Sequence, residues 1–173
     1  RLKTERKGVA RYTVVVHGRA AHAGLDPGAG ASAILELSHV IQALFALNDP
    51  ARGITVNVGT IDGGLRPNVV AAQSRAVVDV RTRSAADAER VDASIRQLQP
   101  VTPGTSLSIE GGPGRPPLEQ TPRNQALFET AQSLGQHLGM TLNGGTAGGG
   151  SDGSTASLHT ATLDGLGPVG DGA

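Results

Sequence analysis

Tyr12-Thr13-Val14-Val15-Val16-His17-Gly18 is the stretch on which the fold turns. Tyr12, Val14 and Val16 share one face of an extended chain, and Thr13, Val15 and His17 share the other, the period-two pattern of a strand. After a short loop, Asp26-Pro27 reads as a helix start, with Asp as N-cap and Pro in the first turn. Ile34, Leu37, Ile41, Leu44 and Phe45 then recur at helical spacing, which predicts an amphipathic helix over 27–47. Asn48-Asp49-Pro50 ends it.

The pattern continues outward. Ile54, Val56 and Val58 alternate through a second strand from Gly53 to Ile61, closed by the turn signal Asp62-Gly63-Gly64. A third strand over 69–82 presents Ala76, Val78 and Val80 to the interior. Ser84-Ala85-Ala86-Asp87 has the form of a capping box, and Ala88, Val91, Ile95 and Leu98 give the following helix its apolar stripe. Thr105 to Glu110 is a last short strand with Leu107 and Ile109. The order βαββαβ predicts an α+β, ferredoxin-like unit over 1–112, with a four-stranded antiparallel sheet covered on one face by two helices.

Gly111-Gly112-Pro113-Gly114-Arg115-Pro116-Pro117 breaks this composition and reads as a linker. Leu127, Ala131, Leu134 and Leu138 mark a third helix over 123–138, stopped by Gly139. Met140 to Leu142 could form one short strand, and Gly, Ser, Thr and Asp dominate from Asn143 onward. So little apolar material cannot fold alone, which makes 113–173 the expected piece of a larger α/β domain.

Composition narrows the function classes. Lys+Arg and Asp+Glu number 15 each, and aromatic residues make up 2%. Neither a basic patch nor a base-stacking platform is indicated, so no nucleic-acid partner is expected. No apolar run approaches the roughly 18 residues of a membrane span. Cysteine is absent, which removes disulfides and thiolate metal sites. Arg1 to Gly8 is polar and unlike a signal peptide. The compartment stays open, with the cytoplasm favoured.

Several residues have two readings each. His22, between small residues at a strand exit, is either an ordinary loop histidine or a side chain reaching out to a developing oxyanion. Asn68 is either a turn residue or an amide donor to a substrate oxygen. Asp79 and Arg81 share a strand face, as a surface charge pair or with Arg81 free to clamp a carboxylate. Arg115, between Gly114 and Pro116, sits in a stiff segment suited to the same task. Gly148-Gly149-Gly150-Ser151-Asp152-Gly153 lacks the Lys of a phosphate loop, which leaves a flexible loop or a turn whose bare N–H groups approach an anion. Among the histidines 17, 22, 39, 137 and 159 there is no HExxH, and His159 with Asp164 is only a weak metal pair. Ser151-Asp152 lacks the elbow of a serine hydrolase.

In this order and spacing, these stretches resemble the zinc-dependent aminoacylase and carboxypeptidase family, most closely its glutamate carboxypeptidase-like members. Arg6-Lys7-Gly8, Ala21-His22-Ala23-Gly24, Gly63-Gly64 with Asn68-Val69, and Asp79-Val80-Arg81 look like its inserted lid, or dimerisation, domain. Gly114-Arg115-Pro116 looks like the exit from that lid. Gly148–Asp152 and Gly165-Leu166-Gly167-Pro168 look like the return into the catalytic domain. Ala71 stands where the family usually has Pro.

The resemblance implies a homodimer joined through the lid, with His22 and Asn68 reaching into the partner's active site to stabilise the oxyanion. It implies Arg81 and Arg115 as substrate-binding groups, Arg115 for the free carboxylate, with Gly149, Gly150 and Ser151 lining the same pocket. It also implies a pair of zinc ions whose ligands, with a general-base Glu, lie before and after this stretch. The chain alone is then expected to be inactive and to hold no metal. The implied reaction is hydrolysis of the amide of an N-acyl amino acid or a small peptide with a free carboxylate. A non-catalytic ferredoxin-like dimerisation or binding module is the alternative, and an N-carbamoyl amidohydrolase a further one.

Overall fold

The computed structural model describes residues 2–167, so Arg1 and the Pro168–Ala173 part of the closing stretch lie outside it. In chain order the elements are β1 (Glu5–Arg6), β2 (Gly8–His17), a 3-10 turn (Pro27–Ala29), α1 (Ala33–Phe45), β3 (Thr55–Gly63), β4 (Gln73–Thr82), α2 (Ala85–Arg96), β5 (Ser106–Arg115), α3 (Pro122–His137), β6 (Thr146–Ala147) and α4 (Asp152–Ala156). β2 pairs antiparallel with β4 on one edge and β5 on the other, and β3 pairs antiparallel with β4. The resulting order β3-β4-β2-β5 is the ferredoxin-like sheet that the sequence pattern predicts.

α1 and α2 lie on one face of this sheet. Tyr12, Val14, Val56, Val78 and Val80 meet Val40 and Leu44 of α1 and Val91 and Ile95 of α2 in one cluster. Val16 and Ala76 continue it towards Ala33 and Leu37. Complete burial of each such aliphatic side chain stabilises the fold by about 1.5–3 kcal/mol. The opposite sheet face carries Val9, Arg11, Thr13, Val15 and His17 from β2 and is not covered by these helices.

The structure departs from the sequence expectation at several ends. Helix α1 begins at Ala33, not at Pro27, and its N-cap is Ser32, whose Oγ accepts from the Leu35 N–H at 3.2 Å. Pro27 starts only a 3-10 turn, and Asp26 makes no side-chain cap. Gly28 and Gly30 explain the break, since two glycines so close together disfavour a continuous helix. The buried stripe is Ala33, Glu36, Leu37, Val40 and Leu44, leaving Ile34 and Phe45 exposed. The capping box at Ser84 is half formed. Its Oγ accepts from the Asp87 N–H at 3.1 Å, but the Asp87 carboxylate turns to the Ser84 hydroxyl, Arg52 and Arg90.

The expected linker is strand as far as Arg115. Gly111, at φ +92°, packs so closely that a Cβ would lie 2.2 Å from the Arg11 carbonyl oxygen. Glycine there marks a close backbone approach inside a ladder rather than the end of one. The expected strand at Met140–Leu142 is absent, and the Met140 N–H instead bonds Gly135 O at 2.8 Å to finish α3. The short strand is β6, drawn into place by parallel pairing with β1. The Leu2–Arg6 segment also bonds Asn143, Gly145, Asp164 and Leu118 through its backbone, tying the glycine-rich region to the start of the chain. Helix α3 runs where expected, but it buries Asn124, Phe128 and Gly135 and leaves Leu134 and Leu138 exposed. Among the described residues no helix is long and apolar enough to cross a membrane.

Among the described residues Glu36 is the most buried charged side chain, 1% exposed. Its carboxylate accepts the N–H groups of Val101 and Thr102, the latter at 2.6 Å, and so fastens the α2–β5 connection to α1. Burial alone would raise its pKa, but these bonds and the nearby His39 hold it below the ordinary range. A depressed folded pKa contributes stability that is complete above the unfolded value and lost as pH falls through the folded one. Glu36→Gln is therefore expected to destabilise the protein by about 1–3 kcal/mol at neutral pH. Thermal melting at a series of pH values should show the gap between variant and parent closing below about pH 4; a gap independent of pH would refute the charge-based role.

Candidate anion-binding end and histidine loop

The candidate residues gather in two places, at opposite ends of β2. At its start, Val9 lies opposite Arg81 on β4 and opposite Arg115 on β5. The pairing with β5 shifts between Val9 and Ala10, where Gly114 is passed over. This bulge puts Arg115 on the open face beside Val9. Arg81, Arg115, Gly149 and Gly150 then line one open cavity of about 470 Å³, together with Val9, Arg11, Gly112 and Gly114.

The charges in this cavity are unequal. Arg81 is held by Asp79 through two bonds, Nε to Oδ1 at 2.7 Å and Nη2 to Oδ2 at 3.0 Å. The hydrogen bond to Asp79 holds its pKa above the ordinary arginine value. The surface charge-pair reading of Asp79 and Arg81 is thus realised. Among the described residues the ionic partner of Arg115 is Asp152, at 3.2 Å, whose side chain is fully exposed; such a pair is readily exchanged for another anion. Arg11, which the sequence reading passed over, adds an exposed cation. Its signal was present in the alternation, since it lies on the same outward face as Thr13 and Val15.

The glycine-rich turn is pinned beside Arg115 by a network that the sequence did not reveal. Arg6 donates from Nε to Asp164 Oδ2 at 2.7 Å and from Nη1 to Gly149 O at 3.1 Å. Ser151 Oγ donates to the same Asp164 oxygen. Burial would raise the Asp164 carboxyl, but Ser151, the Gly165 N–H and Arg6 hold it below its usual range. Ser151 is therefore committed to Asp164, and Asp164 is not paired with His159. Among the described residues no group of three or more His, Asp or Glu could hold a metal ion.

His22 and Asn68 meet at the other end. The Ala23 N–H bonds Asn68 O at 3.0 Å, the Val70 N–H bonds Ala21 O at 2.9 Å, and His22 bridges Val69. Both side chains are exposed. The His22 ring Nδ1 accepts from Gly24 and Leu25. From Val9 to His17 an extended strand covers roughly 26 Å, so one chain does not bring His22 and Asn68 to Arg81 and Arg115.

A ferredoxin-like domain with an arginine-lined end and a remote histidine loop defines the structural class. The peptidase dimerisation domain family matches residues 4–99. The chain belongs to this family, the M20 peptidase dimerisation domain. It is 27% identical over 164 residues to carboxypeptidase G2 of Pseudomonas sp. strain RS-16, covering 91% of the chain and 39% of that protein. It is 30% identical over 135 residues to a "probable carboxypeptidase" of Uncinocarpus reesii, covering 69% of the chain and 30% of that protein. The chain thus spans well under half of the curated relatives it matches. In fold it is similar to the aminopeptidase PepT of Bacillus cereus, with a TM-score of 0.75 and 21% identity over 94% of the chain and 44% of that structure. It is also similar to a hydantoinase/carbamoylase family amidase of Burkholderia ambifaria, with a TM-score of 0.69 and 18% identity over 93% and 40%.

Gly150 packs against Arg115, and a Cβ there would lie 2.7 Å from Arg115 Cδ. Gly150→Ala should push the guanidinium off its present course. Binding of a small carboxylate such as benzoate, followed by NMR shifts of the Arg115 Nε–H, is expected to weaken about fivefold, the loss of one hydrogen bond of ordinary strength. Unchanged affinity would remove Arg115 from the anion-holding groups.

Proposed function

We propose that this chain is the dimerising and substrate-recognising part of a zinc-dependent peptidase or amidohydrolase of the glutamate carboxypeptidase-like kind. Its substrate is an N-acyl amino acid or small peptide with a free carboxylate. The observation that carries this reading is the separation of the two candidate groups along β2, because a small substrate cannot span roughly 26 Å. One site built from two copies removes the difficulty. The carboxypeptidase names of the relatives and the family's dimerisation description support it.

In this reading Arg115 grips the substrate carboxylate through parallel N–H bonds. Arg11 adds positive potential, and the Gly149-Gly150 backbone forms the wall. Ser151 acts indirectly, by keeping that turn on Asp164. Arg81, already satisfied by Asp79, orients more than it binds. His22 and Asn68 of the second copy donate hydrogen bonds to the amide oxygen as it gains charge. Zinc would activate the attacking water; its ligands belong to other segments of the enzyme.

The free edge of the sheet offers a surface for self-association. β3 is an edge strand, and an edge invites pairing with another chain. Ile61 on β3 is an exposed apolar side chain, and α1, which packs against β3, exposes Leu35 and Phe45.

Two outcomes follow for the complete protein. His22→Ala should lower kcat by roughly 100-fold or more with little change in KM, as for loss of an oxyanion donor. Steady-state kinetics decide this, and an unchanged kcat would remove His22 from the reaction. In addition, inactive His22→Ala and Arg115→Ala proteins, mixed in equal amounts under conditions of subunit exchange, should regain about a quarter of the parental activity. Half of the dimers are then mixed, and each holds one intact site of two. No recovery despite proven exchange would mean that each site is built within one chain.

A further inference from the structure

His22 opens a single helical turn, with the Asp26 N–H bonded to His22 O at 3.1 Å. Within that turn its ring stands where Asp or Ser stands at a helix start. Nδ1 accepts from the Gly24 N–H at 3.2 Å and from the Leu25 N–H at 3.1 Å, the second and third residues after the capping position. A backbone N–H can only donate. Both bonds therefore require a lone pair on Nδ1, and in a neutral imidazole the proton then resides on Nε2.

We infer that the backbone N–H groups of Gly24 and Leu25 are a positioning device that locks His22 as the Nε2–H tautomer, leaving it a hydrogen-bond donor towards solvent or substrate and not an acceptor there. The side chain of Leu25 has no part in this. It is 82% exposed, so the residue contributes through its main chain. The backbone of His22 is fixed as well, by the Val69 bridge and the bonds flanking it. Ring and main chain are thus restrained by two different segments, 24–25 and 68–70. The reading of His22 as an oxyanion donor bears only on the kinetic arm of the test; the tautomer itself stands apart from it.

The experiment is long-range ¹H–¹⁵N correlation of the histidine rings in the complete protein at neutral pH, for the parent, Leu25→Ala and Leu25→Pro. The parent and Leu25→Ala should show an unprotonated Nδ1 and a protonated Nε2 at His22. Leu25→Pro removes one donor and should shift the ring towards a mixture of tautomers. The other histidines report whether that variant is folded. In turnover, Leu25→Pro should lower kcat about fivefold, the worth of one hydrogen bond, with KM and the Leu25→Ala variant unchanged. A parent ring protonated at Nδ1, or a folded Leu25→Pro protein with the parental tautomer signature, overturns the inference. A locked tautomer with kcat indifferent to both Leu25→Pro and His22→Ala upholds it and refutes the catalytic reading of His22 instead.

Discussion

The fold depends on the double pairing of one strand. β2 is hydrogen-bonded along its whole length to β4 and along nearly all of it to β5, and its inner side chains Tyr12, Val14 and Val16 are almost wholly buried. A strand held on both edges and anchored on one face cannot slip without moving every inward residue outward. Both candidate ends inherit their positions from it. The arginine end is set by which residues lie opposite Val9, and the histidine loop by where the strand stops.

The charged groups divide by what surrounds them. Glu36 and Asp87 are buried carboxylates that act as struts. One joins α1 to the segment at 101–102, and the other joins α2 to Arg52. Tyr12, in the middle of β2, donates to Asp92 of α2 at 2.9 Å, and burial with that bond pushes its phenol pKa well up. These groups are spent on structure. On the open face the balance differs, because Asp79 satisfies Arg81 while Arg115 meets a fully exposed carboxylate and Arg11 is itself exposed.

The strands and the sheet order were legible because period-two patterns at Tyr12–Val16 and Ala76–Val80 leave only one face to bury. Helix termini were less so. Asp26-Pro27 carries the right chemistry for a helix start, but Gly28 and Gly30 follow, and the weaker signal at Ser32 prevails. Gly111–Arg115 looked like a linker because composition marks flexible chain and close-packed ladder alike; the proximity of the Arg11 carbonyl distinguishes them and is not written locally. In the candidate site, Arg81 and Arg115 could be picked out by residue type. The Arg6–Asp164–Ser151 network could not, since its members are 158 and 13 residues apart and nothing local relates them.

The extra residue in β5 makes the location of Arg115 a matter of parity. In a paired strand each residue added or removed exchanges the two faces, so an odd count between the first rung and Arg115 differs from an even one in kind, not degree. Ser106 to Arg115 is nine steps against eight from His17 to Val9, and the bulge at Gly114 absorbs the odd one, so Arg115 stays on the face of Val9. Insertions in the α2–β5 connection leave this arithmetic untouched, because they precede the first rung at Ser106. A single deletion within 107–114 would equalise the two counts and leave Arg115 opposite Val9 without a bulge, whereas a single further insertion would turn the guanidinium towards α2 and the apolar interior unless a second bulge took it up. Length variation among homologous chains should therefore be free before Ser106, while beyond it each extra residue calls for a bulge of its own.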